Sequence, residues 1–295
     1  SPVERKGEYE INYYFMKDDL TYPDTPDFVA SGEDSVGKYI KSEEYANYLP
    51  LTDPLYEGHE YDAETSDVLM IVISSGSKAT MDLYFKLKEY TVEYDTMGGD
   101  WTDTSAIYTE QSDQIYTTNV IHNKLAPTPT EPIKENSRFA GWYDKATDKP
   151  YDFTAPVTGN VKLYAKWIEL KDIVVQKKWT DNNNQDGKRT ESVTIYLKAD
   201  GTVIRTITVT EQDNWMQTVS NLDVTDEEGN PIVYTIEEVP VKDYTSKYTI
   251  ENDVYIVENI HVPETKELTV EKVWVDNNNQ DGKRPDSIEV KIIND

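Results

Sequence analysis

No cysteine occurs in the 295 residues. That excludes disulfide staples, zinc–thiolate sites and cysteine nucleophiles. A small extracellular domain then needs another staple for a thin core. Long apolar runs are missing too, so no segment has the length to cross a bilayer as a helix. Histidine is scarce: His59, His122 and His261 stand far apart, without metal-ligand spacing. Basic residues are outnumbered, 29 Lys and Arg against 56 Asp and Glu, which leaves a formal charge of −27. A surface this acidic repels phosphate backbones and anionic lipid, which argues against nucleic acid and membrane insertion. There is no nucleophile elbow, and carboxylates are too plentiful for one pair to mark a glycosidase. The sequence therefore implies no cofactor and no enzyme acting on a free substrate. No signal peptide precedes Ser1 and no anchor follows Asp295, so the expected reading is a piece of a longer chain.

Strand-forming residues are what the sequence has in excess. Tyrosine alone supplies 22 positions, with frequent threonine and valine, and this favours β-structure. Period-two runs recur at 9–15, 68–73, 90–94, 161–167, 173–179, 193–197, 203–209, 232–236 and 254–260, separated by Gly, Pro, Asn and Asp clusters. Helical periodicity is weak; only the stretch from Ser35 to Tyr48 could form a short helix. With hydrophobic residues at 37%, several small cores are expected rather than one large one.

A repeat sets the organisation. Trp179 to Arg189 reads WTDNNNQDGKR, and Trp274 to Arg284 reads WVDNNNQDGKR, an offset of 274 − 179 = 95 residues. Four segments follow: 1–88, 89–168, 169–263, and the truncated start of a second copy at 264–295. The fold class expected is all-β to α+β, as tandem small modules, two β-grasp-like and then an antiparallel sandwich.

The third segment carries the chemistry. A period of two puts Ile173, Val175, Lys177 and Trp179 on one face, and Leu268, Val270, Lys272 and Trp274 on the matching face of the repeat. A lysine on a core face is costly unless it snorkels past a sheet edge or gives up its charge. A desolvated, neutral lysine is a nucleophile. Both readings stand on pattern alone.

WTDNNNQDGKR after a strand, then the run Tyr234 to Pro240 (YTIEEVP), then Tyr244-Thr245, then Asn259 in a closing strand, closely resemble the B-type domains of collagen adhesin. The resemblance covers Lys171 to Val262 and resumes from Lys266. It implies a Gram-positive stalk or pilin module, an antiparallel sandwich stapled by an internal isopeptide bond. It matches Lys177 to the nucleophile, Asn259 to the acceptor and Glu238 to the catalytic acid. Glu237 is the rival, but alternation puts Tyr234, Ile236 and Glu238 on one face and Glu237 on the other. Burial favours the neutral form of a carboxyl, which can then polarise an amide for attack by a neutral amine. Lys272 matches Lys177, with its partners expected beyond Asp295, so it is expected to be unreacted here.

Other motifs have two readings. Asn182, Asn184 and Asp186 before Gly187 echo the start of a calcium loop, but Val193 stands where the closing glutamate belongs, and Asn, Asp and Gly are ordinary turn residues. The second segment opens YTVEYDTMGG at Tyr90, carries RFAGWY at Arg138 and closes VKLYAKW at Val161. It resembles the internalin-type B repeat (Listeria–Bacteroides repeat), a small β-grasp-like module of surface proteins. Trp142 and Tyr143, with Trp167, are either an aromatic binding patch or its core. In the first segment, Tyr9 to Phe15 and Met81 to Lys86 resemble the edge strands of a mucin-binding-type repeat. Tyr39, Tyr45 and Tyr48 are its candidate contacts, against a bland role in packing. These resemblances imply an extracellular, wall-anchored surface protein, monomeric within its longer chain. Its partner would be a mucin glycan, a host glycoprotein or a host extracellular protein. The alternatives are a pure spacer and the non-catalytic arm of a surface enzyme.

Overall fold

The computed structural model describes residues 4–47, 53–73 and 76–293. By internal contacts the chain divides into two units, Ser1–Ile173 with Thr218–Tyr234, and Val174–Gln217 with Thr235–Asp295. Nearly all regular structure is strand. The short helix expected over Ser35 to Tyr48 is replaced by a turn, a strand and a single 3₁₀ turn at Ser42–Glu44, while Tyr48 lies outside the described residues. Gly37, at φ 92°, makes the turn that a helix could not pass through.

The first 87 residues give β1 (Lys6–Phe15), β2 (Phe28–Ser35), β3 (Tyr39–Lys41), β4 (His59–Tyr61), β5 (Leu69–Ile71) and β6 (Ala79–Leu87). Alternation builds their core: Ile11, Tyr13 and Phe15 of β1 and Met81, Leu83 and Phe85 of β6 are all buried. Each such side chain contributes roughly 1.5–3 kcal/mol of burial. The four-stranded sheet runs β2-β1-β6-β4, with β1 and β6 parallel. The two strands that resembled edge strands in sequence thus form the centre of the sheet, because both carry the fully buried face. β3 and β5 pair separately.

β7 (Glu89–Asp95), β8 (Thr109–Ser112), β9 (Ile115–Ile121), β10 (Ser137–Asp144), β11 (Lys149–Pro150) and β12 (Val161–Thr180) follow. They run β11-β10-β12-β7-β9-β8, with β7 and β12 parallel, over a second core of Val92, Tyr94, Trp142 and Leu163. β12 continues unbroken for 20 residues, so the segment join expected after Ile168 falls inside a strand. Its buried positions, Leu163 and Ala165, then Ile168, then Ile173, Val175 and Lys177, change phase twice along that length.

The remaining strands are β13 (Ser192–Ala199), β14 (Thr202–Thr210), β15 (Met216–Asp223), β16 (Tyr234–Glu238), β17 (Thr245–Glu251) and β18 (Val254–Ile260). One sheet runs β14-β13-β16 and buries Val193, Ile195 and Leu197. In the other, β18 lies between β12, to which it is parallel, and β17, to which it is antiparallel, and it buries Tyr255 beside Val175. From His261 to Ile293 no described residue is in a strand. Leu268, Val270, Ile288 and Val290, the apolar positions of the repeated strands, are exposed there. Strands without partners do not hold.

Candidate functional site

Three polar side chains are buried on neighbouring elements of the second unit. Lys177 of β12 is 3% exposed, Glu238 at the end of β16 is 4% exposed and Asn259 of β18 is 0% exposed. The parallel ladder sets Lys177 beside Val257 and Trp179 beside Asn259. Lys177 Nζ stands 3.7 Å from Glu238 Oε1, with both side chains fully buried. That is beyond hydrogen-bonding distance. The amine instead donates to the Lys178 carbonyl at 2.7 Å and lies 4.1 Å over the Trp179 ring. Burial pulls the Lys177 ammonium down to about 8, against the opposing pull of Glu238.

Glu238 is held from β17. Ser246 Oγ donates to Oε2 at 2.5 Å, and the Glu238 backbone N–H donates to Tyr248 Oη at 3.1 Å. Oε1 of Glu238 and both Oδ1 and Nδ2 of Asn259 are buried without a hydrogen-bond partner. Each orphaned polar atom costs about 1–3 kcal/mol. Such a cluster of unsatisfied groups is rare in a packed interior and calls for a chemical reason. Glu237 points to the other face, exposed and paired with Lys198.

The turn after β12 supports the lysine. Asp181, 2% exposed, accepts from Arg189 Nε and Nη2, both at 2.6 Å, and from Tyr244 Oη at 2.8 Å. The bidentate Arg189 holds its carboxyl well below the usual carboxylate range. Tyr244 and Trp215 meet the Trp179 ring edge-on, at 4.9 and 5.3 Å. The ring beneath Lys177 is thereby fixed on two sides.

Asn182, Asn183 and Asn184 of the same turn take the left-handed conformation, at φ 52°, 59° and 59°. Asn184 Oδ1 accepts from Arg189 N, Asn182 Nδ2 donates to Gln185, and Asp186 Oδ2 meets His261 Nε2 at 2.9 Å. Their oxygens close the turn rather than converge on one point. Among the described residues no three His, Cys, Asp or Glu side chains group as a metal site.

Lys272 lies outside any strand. Its Nζ donates to the Val273 carbonyl at 3.1 Å and sits 4.4 Å over Trp274. Of the aromatic candidates, Trp142 and Tyr143 are 5% and 7% exposed and belong to packing. Tyr45 packs on the first core and its hydroxyl meets that of Tyr9. Tyr39 is 61% exposed, opposite Ile71 on the outer face of β3 and β5. Tyr48 falls outside the described residues.

Sequence reasoning missed Ser246 and the Asp181–Arg189 pair. The hairpin turn Asn252-Asp253, both at positive φ, joins β17 to β18 and by counting alone sets Ser246 opposite Asn259. The pair recurs as Asp276 and Arg284 in the repeat, which was the readable signal for it.

Comparison with known proteins supports a surface adhesin or stalk module. Residues 173–260 and 268–295 match the Cna protein B-type domain, and residues 90–166 match the Listeria-Bacteroides repeat domain. These matches support a Gram-positive surface-adhesin-like protein, and the relatives they point to are of the cell-surface kind. It is 43% identical over 138 residues to the collagen adhesin of Staphylococcus aureus, covering 46% of this chain and 11% of that protein. The chain thus spans about a tenth of that relative's length. Two B repeat units of the S. aureus collagen-binding protein align at 22% identity over 95% of this chain and 80% of theirs, with a TM-score of 0.34. A single such unit aligns at 21% identity over 60% of this chain and 99% of its own, with a TM-score of 0.30. No helix among the described residues is long and apolar enough to cross a membrane.

Proposed function

We propose that this chain is a load-bearing part of a wall-anchored surface adhesin, and that residues 169–263 form a module stapled by an autocatalytic bond between Lys177 and Asn259. The observation that carries the reading is the buried trio, in which Asn259 has its whole amide unsatisfied beside a lysine at about 8. At neutral pH roughly a tenth of such a lysine is free amine, against a negligible share at its ordinary value. Lys177 Nζ attacks Asn259 Cγ while Glu238 gives a proton to Oδ1. The carbon–Nδ2 bond then breaks. The proton lost by Nζ passes through Glu238 to Nδ2, which leaves as ammonia, while Oδ1 hands its proton back to Glu238 and the carbonyl re-forms, so Glu238 ends as it began. Folding supplies the proximity. This is a single turnover on the chain itself, not catalysis on a substrate.

Intact mass tests it. The folded protein should weigh less than its sequence by one ammonia. Lys177→Arg, which keeps its proton, and Glu238→Ala should both retain the full sequence mass. A wild-type mass equal to the sequence mass would refute the bond.

The segments 1–88 and 89–168 are read as modules displayed on that stalk. Exposed Tyr39, Leu69 and Ile71 favour a contact surface in the first, for a mucin glycan, a host glycoprotein or another host extracellular protein. Burial of Trp142 and Tyr143 favours a spacer role for the second. Glycan and serum-protein panels probed with the whole chain, compared with its Tyr39→Ala variant, test this. Silence of the wild-type chain on all panels would leave spacer modules or the arm of a surface enzyme.

A further inference from the structure

The reading above leaves one question of proton placement, which Ser246 answers. Glu238 ends β16, a strand of the three-stranded sheet, whereas Lys177 and Asn259 belong to β12 and β18 of the other. Its carboxyl must cross from one sheet to the other and arrive with the correct oxygen leading. A carboxylic acid has two oxygens and one proton, and rotation about its last bond exchanges them freely unless something distinguishes the two.

Ser246 distinguishes them. It belongs to β17, beside β18, and the ladder sets it directly opposite Asn259. Its hydroxyl donates to Oε2 at 2.5 Å. An oxygen that accepts this bond plays the carbonyl part, so in the acid form that the reaction needs the proton belongs on the other, Oε1. That oxygen lies 3.7 Å from Lys177 Nζ and has no other partner, like Oδ1 of Asn259. Two residues on, Tyr248 accepts the Glu238 backbone N–H, so the same face of β17 fixes both the main chain and the carboxyl of the acid.

We propose that Ser246 is the positioning residue of the cross-linking reaction: its hydroxyl ties Glu238 to the sheet bearing Lys177 and Asn259 and turns the acid proton toward the reacting amide. This rests on the isopeptide reading above. Without the hydroxyl, Oε2 becomes another buried orphan, and the carboxyl loses its own tether to the sheet it serves, though the main chain keeps its bond to Tyr248. Productive orientations become a minority, and the step slows while the fold persists.

The test uses the full chain, recovered unreacted in urea, refolded by dilution, quenched in acid and weighed at intervals. Folding is followed in parallel by tryptophan fluorescence. Ser246→Thr keeps the hydroxyl, and Ser246→Val has the same shape without it, so their comparison isolates the hydroxyl even if Ser246→Ala folds poorly. Mass loss at least tenfold slower in Ser246→Val, near wild type in Ser246→Thr, with equal fluorescence rates in the two, would support the assignment. Equal rates of mass loss in the folded Val and Thr variants would overturn it while leaving the cross-link intact. No mass loss in the wild type would overturn the cross-link itself, and the role of Ser246 with it.

Discussion

Pulled from its ends, this chain should give way in an order that its strand registers dictate. Three times the first strand of a segment lies parallel to its last: β1 with β6 over seven residue pairs, β7 with β12 over four, and β12 with β18 over seven. In each case the chain enters at the start of one strand and leaves at the end of its parallel neighbour. Tension therefore shears the ladder and loads its hydrogen bonds together rather than unzipping them singly. The four-pair ladder should yield first. It frees the 164 − 92 = 72 residues between its outer pairs, roughly 240 Å of extended chain. The β1–β6 ladder should follow, releasing 85 − 9 = 76 residues, roughly 260 Å. The third should not yield, because the proposed bond from Lys177 to Asn259 would carry the load past the 259 − 177 = 82 residues between them. Single-molecule force spectroscopy of the whole chain should record two releases. Lys177→Met, which removes the nucleophile without stranding a charge, should add a third, from the 260 − 174 = 86 residues between that ladder's outer pairs, roughly 290 Å. A third release of that length from the wild type would refute the reasoning, and so would a first release longer than the second.

Other consequences can be measured in bulk. Closing an 82-residue loop should stabilise the module by about 4.5 kcal/mol, so calorimetry of Lys177→Met should find its transition lowered by about 20–30 °C; a shift of a few degrees would mean packing alone holds it. The rate of mass loss should rise about tenfold per pH unit and level off above about 8, since it follows the free amine of Lys177; a flat profile across that range would contradict an amine nucleophile. His261 bridges Asp186 Oδ2 and the Asp243 carbonyl, and the Asp186 contact raises its affinity for a proton. The stabilisation it gives is complete below its unfolded value and lost as pH rises through the raised one, so His261→Gln should lower the melting temperature in mild acid and leave it unchanged in mild alkali. Equal loss at both would mean that the ring acts by packing and not by charge.

How much of this was legible in the sequence depends on the distance over which each feature is set. Alternation is local, and it located β1, β7, β13, β14 and β18 to within a few residues. It also separated buried Glu238 from exposed Glu237, which differ only in the face they occupy. Strand neighbours are not local. Nothing in 9–15 or 81–86 announces that these strands lie side by side at the centre of a sheet, and nothing near Ile168 announces that β12 runs on to Thr180. Both follow from which apolar faces find each other, and that is decided by the whole fold.

The two lysines make the same division within one motif. Lys272 lies outside any strand yet reproduces the contacts of the Lys177 amine with its own motif. Its amine reaches the next carbonyl at 3.1 Å, against 2.7 Å for Lys177, and its ring contact is 4.4 Å, against 4.1 Å. Asn277, Asn278 and Asn279 repeat the left-handed turn, and Arg284 again clasps an aspartate, here Asp276, below the tryptophan. The sequence K-x-W-x-D-N-N-N-Q-D-G-K-R therefore builds the perch of the lysine by itself. What it cannot build is the dryness. Lys272 is exposed, whereas Lys177 is covered by β16 and β18, and burial lowers its hold on the proton. The local motif aims the amine, and reactivity waits for the strands that bring Glu238 and Asn259. On the proposed reading, this order would keep Lys177 protonated and inert until the module has folded around Asn259.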